Sequence, residues 1–384
     1  MAFTGKCTYT AGTTIPEVAE DVGDLVSILS PHETPLLDAL GDPLHAATST
    51  RHEWLDDELL PNFDNISQPG LNDSGLNTAS VTVANGGRFR VGDQVQGEAK
   101  HEVMFVSAVA GNTLTLVRGY GGSTKQALVD GLKLRILGNA ALEGADADAA
   151  RFTVRTRRSN YTQIFSAAVQ VSGTEAAVRQ IAVDDEMDYQ KTNRLRELLR
   201  DLENTAINGV APSSNPQGSA TVRRTMQGII GNLATNVLAP GATYVPLDAD
   251  LSEGHINGAL RTIWEISGNK PDLIVCGGGQ KRRINAFIQT NQRFAPDSEV
   301  FKNTVSTYES DFGVCRVVLS RYVPADTVLF LDSSRISVLP LAGRSFQFKP
   351  LASTGDYESG EVLGEYTVEL RNEKGHGVLS GLTV

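Results

Sequence analysis

A chain of 384 residues with 40% hydrophobic content can bury a substantial core, or two or three folding units. Its formal net charge of -11 and pI near 5.1 exclude a protein that grips nucleic acid over its whole surface, since such proteins meet phosphate with Lys and Arg. Cys7, Cys276 and Cys315 are odd in number, lack CxxC spacing and have no neighbouring His, which excludes a disulfide framework or thiolate zinc site and points to reduced thiols in a cytosol-type compartment.

Residues 1–48 read as an extended arm. Pro16, Pro31, Pro35 and Pro43 break any long helix, leaving room for short ones over Pro16–Leu29 and Pro35–Leu40. Ile15, Val18, Val22, Leu25, Val26, Ile28 and Leu29 make the arm apolar enough to require a surface to bury against. Glu17, Glu20, Asp21 and Asp24 precede the short apolar run at 26–29, so no secretion signal is expected there. Arg51 to Leu59 is a mixed-charge stretch around Trp54, and 61–80 is an Asn, Ser, Gly, Asp and Pro-rich loop.

From Ala79 to Leu137 the pattern turns to short strands over Val81–Ala84, Glu102–Val109, Thr113–Val117 and Leu132–Leu137, punctuated by Gly86-Gly87, Gly92-Asp93, Gly111-Asn112 and Gly119 to Gly122. Ala110-Gly111-Asn112 is a hairpin signal. This predicts a small, closed, β-barrel-like module inserted at 79–138. Arg151 to Arg158 alternates, with Phe152, Val154 and Thr156 on one face and Arg151, Arg155 and Arg157 on the other, as in a half-buried strand with a basic outer face.

Thr174 to Asn208 contains no Pro or Gly and predicts one helix of roughly 50 Å, with Asn208-Gly209 as its stop. Its acidic middle, Asp184 to Asp188, suits a strut lying on a sheet better than a helix packed along its whole length. Thr225 to Leu247 is uncharged but interrupted by Pro240 and Pro246, which predicts a loop and no membrane span; the protein is expected to be soluble. Beyond it, helices are predicted over Leu251–Ser267 and Gln280–Gln289. Strands are predicted over Asp272–Cys276, Cys315–Ser320, Thr327–Asp332, Ile336–Leu339, Ser345–Lys349 and Glu365–Asn372.

The chemistry-like motifs are all incomplete. His32-Glu33, His52-Glu53 and His101-Glu102 would need a second His four residues on for a zinc helix, and find Leu36, Asp56 and Phe105. Asp311-Phe312-Gly313 lacks every other kinase element and reads as a turn. Gly277-Gly278-Gly279 joins a strand to a helix, but Gln280-Lys281-Arg282 follows in place of Gly-Lys-Ser/Thr, so it reads as a tight turn near a crowded subunit contact. No catalytic residue, metal site or cofactor is expected. Trp54, Asp56, Asp57, Arg151, Arg155, Arg157, Asp184, Asp185 and Arg282 are candidate contacts between subunits, the Arg row facing an acidic neighbour such as Asp184–Asp188 of another copy.

The ordered set of segments DLVSILSPHETPLLDALG (24–41), HEWLDDEL (52–59), QVSGTEAAVRQIAVDDEMDYQ (170–190), PDLIVCGGGQKRRINAF (271–287) and GEYTVELRNEKGHG (364–377) resembles major capsid proteins of tailed double-stranded-DNA bacteriophages. The resemblance implies an α+β capsid fold shared with encapsulins and the herpesvirus capsid floor. It implies an N-terminal arm at 1–48, an extended-loop region at 49–78 and 139–165, and a peripheral domain at 166–224 with a spine helix at 174–208. An axial domain at 225–340 and C-terminal strands at 341–384 complete it. It further implies hexamers and pentamers of this chain in an icosahedral shell, a portal, a separate scaffolding protein, and packaged DNA held without sequence recognition. The location implied is the virion capsid, after assembly in the host cytoplasm, with no membrane. The alternatives are an encapsulin-like compartment and a phage tail or decoration protein.

Overall fold

The computed structural model describes residues 33–73, 77–98, 101–144, 146, 150–178, 185–291 and 307–384. In chain order it contains α1 (Pro35–Leu40), β1 (Arg51–Asp56), β2 (Phe63–Asn65), β3 (Asn72–Asp73), β4 (Thr78–Thr82), β5 (Asp93–Gly97), β6 (Val103–Ala110), β7 (Thr113–Val117), β8 (Leu128–Val129) and β9 (Lys133–Asn139). There follow β10 (Thr156–Tyr161), β11 (Gln163–Ser172), α2 (Gly173–Ala177), α3 (Glu186–Asn208), α4 (Ile229–Asn232), β12 (Val237–Leu238), α5 (Glu253–Ser267), β13 (Leu273–Cys276) and α6 (Gly278–Asn291). The chain ends with β14 (Thr307–Ser310), β15 (Gly313–Leu319), β16 (Val328–Leu331), β17 (Ile336–Pro340), β18 (Gln347–Leu351), β19 (Tyr357–Leu370) and β20 (Gly377–Leu379). Two units result: Asp57–Thr156, and Met1–Asp56 with Arg157–Val384.

In the larger unit, a six-stranded sheet runs in the order β12-β20-β16-β13-β15-β14. Its central strands read Leu-Ile-Val-Cys and Val-Leu-Phe-Leu and are buried at every position. A strand sends alternate side chains to opposite faces, so a continuous apolar run serves two cores at once. Leu273, Val275, Leu329 and Leu331 join α1, α3 and α4 residues on one face. Ile274, Cys276, Val328 and Phe330 join Ile256, Leu260 and Ile263 of α5 and Ile284 of α6 on the other. A second sheet, β11-β19-β17 with β18 also on β19, is antiparallel throughout; β11 pairs with β19 from Gln163↔Tyr366 to Ser172↔Tyr357. The C-terminal half of α3 packs on this sheet through Leu198, Leu202, Ala206 and Ile207.

The helix expected over 174–208 is shorter. α2 ends at Val178, whose backbone is extended, and α3 starts anew with Asp185 as N-cap, its carboxylate accepting from the Met187 and Asp188 amides at 2.9 and 3.2 Å. Twenty-three residues give a rod of about 35 Å. An acidic run without Pro or Gly reads as continuous helix, yet Asp is a better cap than helix interior.

In the smaller unit the sheet order is β2-β9-β5-β6-β7-β4. Its edges are brought together by the Ile66–Val83 bridge and by Ser67 N–H to Thr82 O (2.9 Å) and Ala84 N–H to Asn65 O (3.1 Å). Val81, Val95, Met104, Val106, Leu114, Leu116 and Leu134 fill the interior. β6 and β7 turn on Gly111-Asn112, where Gly111 holds φ 61°, and a β-carbon on Gly86 would lie 2.0 Å from the Gly111 carbonyl. The unit is wider than the 79–138 module expected, because β2 lies inside the polar stretch read as loop and pairs Phe63↔Arg135 to Asn65↔Lys133. So short and polar a strand has no alternation to read.

The strand expected over Arg151–Arg158 starts only at Thr156 and pairs with β1. Phe152 and Val154, expected on its buried face, are 83% and 78% exposed in the single chain. Of the arm, residues 1–32 lie outside the described residues. Its remainder is pinned near the C-terminal end: Ala47 N–H donates to Pro340 O at 2.8 Å and Ala342 N–H to Ala47 O at 2.8 Å.

Candidate functional site

β1 and β10 form a two-stranded ribbon of Arg-His-Glu-Trp-Leu-Asp and Thr-Arg-Arg-Ser-Asn-Tyr. Along β1, Arg51, Glu53 and Leu55 face out, while His52, Trp54 and Asp56 are half-buried. The outward charges pair within the chain: Arg51 Nε to Glu53 at 3.0 Å and Arg157 to the same carboxylate at 3.4 Å. Exposed pairs of this kind contribute little to stability, so what they supply is a patterned charged face.

The inward row has other partners. Asp56 accepts from the Asn372 amide at 2.9 Å, with Arg158 at 4.0 Å. The Trp54 ring lies 5.9 Å from His52, and its buried indole N–H has no hydrogen-bond partner among the described residues. Trp54, Asp56, Arg157, Arg158, Asn232 and Glu373 line a cleft of about 280 Å³. Glu373 is fixed by the Thr235 hydroxyl and by the Ala234 and Thr235 amides. Burial pushes its carboxyl up, and these hydrogen bonds more than offset that, leaving it below the ordinary range.

The contact candidates therefore divide. Trp54, Asp56 and Arg157 meet at this cleft. Asp57 and Arg155 pair with each other in the smaller unit at 3.4 Å, while Arg151 donates to the Gly87 and Phe89 carbonyls at 3.0 Å. Of the acidic segment expected on another copy opposite the Arg row, Asp185 caps α3 within its own chain, Asp188 pairs with Lys191 at 2.8 Å, and Asp184 lies outside the described residues. Arg282 is exposed on α6.

The Gly277–Gly279 turn does join β13 to α6, but it is not crowded within the chain. Gly278 and Gly279 have nothing within 4 Å of a β-carbon position, and none of the three glycines has a positive φ. Asp311-Phe312-Gly313 lies at the β14–β15 turn, with Ser310 opposite Gly313. Glu102 is engaged by Arg118 in the interior of the smaller unit, at 2.9 and 2.7 Å, with the Gly119 and Gln126 amides at 3.0 and 2.8 Å. Burial raises its carboxyl, and Arg118 with the two amides pulls it below the usual value.

Sequence reading missed the surroundings of His52. Its Nε2 lies 2.7 Å from Glu369 Oε2, and the His45 Nε2 lies 3.4 Å from the same oxygen. The His52 hydrogen bond holds the Glu369 carboxyl down against its burial, and Arg371 adds to the effect from 3.2 Å. The one signal in the sequence was two His within eight residues; their acid is 317 positions from His52.

The two sheets share one core through Leu273, Leu331, Val362 and Val368, with α3 along the second of them. The capsid of a native GTA particle aligns at a TM-score of 0.53 and 9% identity, over 98% of this chain and 99% of that chain. The SU10 major capsid protein family matches residues 4–383, and the chain belongs to that family. It is a major capsid protein, a structural subunit that joins copies of itself in a virion capsid. Two further structures, one from Mycobacterium phage Bobi and the holo-SrpI encapsulin complex of Synechococcus elongatus, align at 12% and 11% identity with TM-scores of 0.47 and 0.43. Those alignments cover 94% and 60% of this chain and 95% and 78% of theirs. No curated protein matches the chain.

Proposed function

We propose that the chain assembles as hexamers and pentamers into a closed icosahedral shell around double-stranded DNA. The observation that carries this is the surface a single copy leaves uncovered. Leu44, Phe152 and Val154 stand in solvent, while the central strands are buried on both faces. Such side chains call for cover by further copies, and many modest contacts add up under closed symmetry. DNA is enclosed without sequence recognition, in keeping with the net charge of -11. A portal and a separate scaffolding protein are the helpers of assembly, which takes place in the host cytoplasm. The arm is assigned to 1–48, the axial domain to 225–340 around α5, α6 and β13, and the returning C-terminal strands to 341–384. Trp54, Asp56, Asp57, Arg151, Arg155, Arg157, Asp184, Asp185 and Arg282 are assigned to contacts between copies.

Negative-stain electron microscopy of the chain expressed alone, and then with its neighbouring genes, tests the proposal. Closed thin-walled particles in either preparation are expected; small oligomers in both would refute it. The smaller unit is proposed to reinforce contacts between capsomers. Because β1 and β10 are paired neighbours, Asp57–Thr156 can be replaced by a short linker. Shells of undiminished heat resistance after that replacement would rule the reinforcing role out.

A further inference from the structure

We propose that His45, His52 and Glu369 form a binding site for a divalent transition-metal ion of the zinc class, and that the ion fastens the segment ahead of β1 to the sheet of β19. The three ligand atoms, two imidazole Nε2 and one carboxylate Oε2, all lie within 4.8 Å of one another. A tetrahedral zinc ion with ligands near 2.0–2.1 Å holds neighbouring ligand atoms about 3.3 Å apart. The distances of 3.4 and 2.7 Å to the shared oxygen fall on either side of that value, and the two imidazole nitrogens lie within 4.8 Å of each other, so side-chain rotations that draw the rings together complete the set.

A simple His–Glu hydrogen bond would account for His52 alone. It leaves unexplained why His45, half-exposed and free to turn to water, brings its Nε2 to the same oxygen, with its ring centroid 6.4 Å from that of His52. Two imidazole nitrogens converging on one carboxylate oxygen is the donor set that zinc-class ions select over magnesium or calcium. The supports are firm. Glu369 is opposite Ser337 in the β17–β19 pair, and its other oxygen is held by Arg371, which orients Oε2 as a single-oxygen ligand. His45 is two residues from Ala47, whose backbone is bonded to β17 and its continuation on both sides. Binding through Nε2 places the remaining His52 ring proton on Nδ1, so the ring coordinates as a neutral imidazole. Three protein ligands leave a fourth position for water.

The test uses the untagged full-length chain after chelator treatment, titrated with Zn²⁺ by calorimetry and with Co²⁺ by visible absorption. The expected result is one ion per chain, a tetrahedral Co²⁺ band, a raised melting temperature with Zn²⁺, and an affinity at least about tenfold weaker in His45→Gln. His45 is half-exposed, so that variant folds; an unchanged melting temperature without metal verifies it. Equal binding by parent and His45→Gln, or no binding by the parent, overturns the proposal. The readout does not depend on shell formation, so its failure is separate from failure of the shell reading.

Discussion

Glu203 is the residue whose replacement should reveal most about how the N-terminal segment is held. α1 has six residues, too few to persist alone, and Thr34 at its N-cap makes no side-chain cap hydrogen bond. Its orphan amides are satisfied from 167 residues away: Leu36 N–H donates to Glu203 Oε1 at 2.9 Å and Leu37 N–H to Oε2 at 3.0 Å. Glu203 is fully buried on α3, and the Ser320 hydroxyl lies 3.4 Å from Oε1. In Glu203→Gln one side-chain oxygen remains, so one buried amide faces an NH₂ group and loses its acceptor. The cost is about 1–3 kcal/mol at neutral pH. Glu203→Ala orphans both amides and leaves a void, so it should cost more, about 3–5 kcal/mol.

The pH dependence has a definite sign. Burial raises the Glu203 carboxyl above its ordinary value, against the pull of the Leu37 and Leu36 amides. The native state then holds a proton that the unfolded state has released, so its contribution to stability is full below the unfolded value of 4.5. That contribution is lost as pH rises through the folded value. Gln does not titrate, so the gap between parent and variant should narrow as pH rises through that window. The assay is urea unfolding of the unassembled subunit, with hydrogen exchange at the Leu36 and Leu37 amides. Stability unchanged within about 0.5 kcal/mol together with unchanged exchange would refute the reasoning.

Other outcomes rest on the same structure. Arg118→Met strands the buried Glu102 carboxylate and should destabilise the smaller unit by about 3–5 kcal/mol in thermal melts, whereas a loss below about 1 kcal/mol would show the pair to be dispensable. His376, wholly buried, accepts from the Asp332 amide at Nδ1 (3.1 Å), and its Nε2 faces the Arg371 carbonyl at 3.3 Å. Burial lowers its pKa from 6.5 to about 4, so the unfolded state takes up the proton first and stability falls as pH drops from 6.5 towards 4, by about 3 kcal/mol in all. His376→Asn, which keeps an acceptor for the Asp332 amide, should show a shallower acid limb in the same window. Arg157→Glu should change subunit stability by less than about 1 kcal/mol while lowering particle yield in light scattering; unchanged yield would remove Arg157 from the contact surface.

The parts of the fold legible in the sequence were those with a local signal. β7 was read residue for residue from its alternation, and β13 and β16 came from uninterrupted apolar runs. α5 is bounded by Ser252 and by Gly268 at φ 66°, where a left-handed residue ends the helix. The β11–β19 pairing joins residues about 200 positions apart and carries no local mark, so β11 was not read as a strand. β5, Asp-Gln-Val-Gln-Gly, hides for a different reason: only Val95 is a large apolar residue, although Asp93 and Gly97 are buried with it. Much of the candidate site was invisible for the same two reasons. The charged ribbon was read correctly as charged, but its inward partners, Glu369, Glu373 and Asn372, arrive from the far end of the chain.

The central strands β13 and β16 carry a consequence for how such a subunit can deform. Their neighbouring residues face different interiors, so sliding either strand by one position would exchange the fillings of both at once. That leaves no partial solution between one alignment and the next, and the wall behaves as a rigid plate with a single admissible fit. A change of shape is then easier at the outer strands β14 and β15, whose burial alternates and which have one face to satisfy, than at β13 or β16.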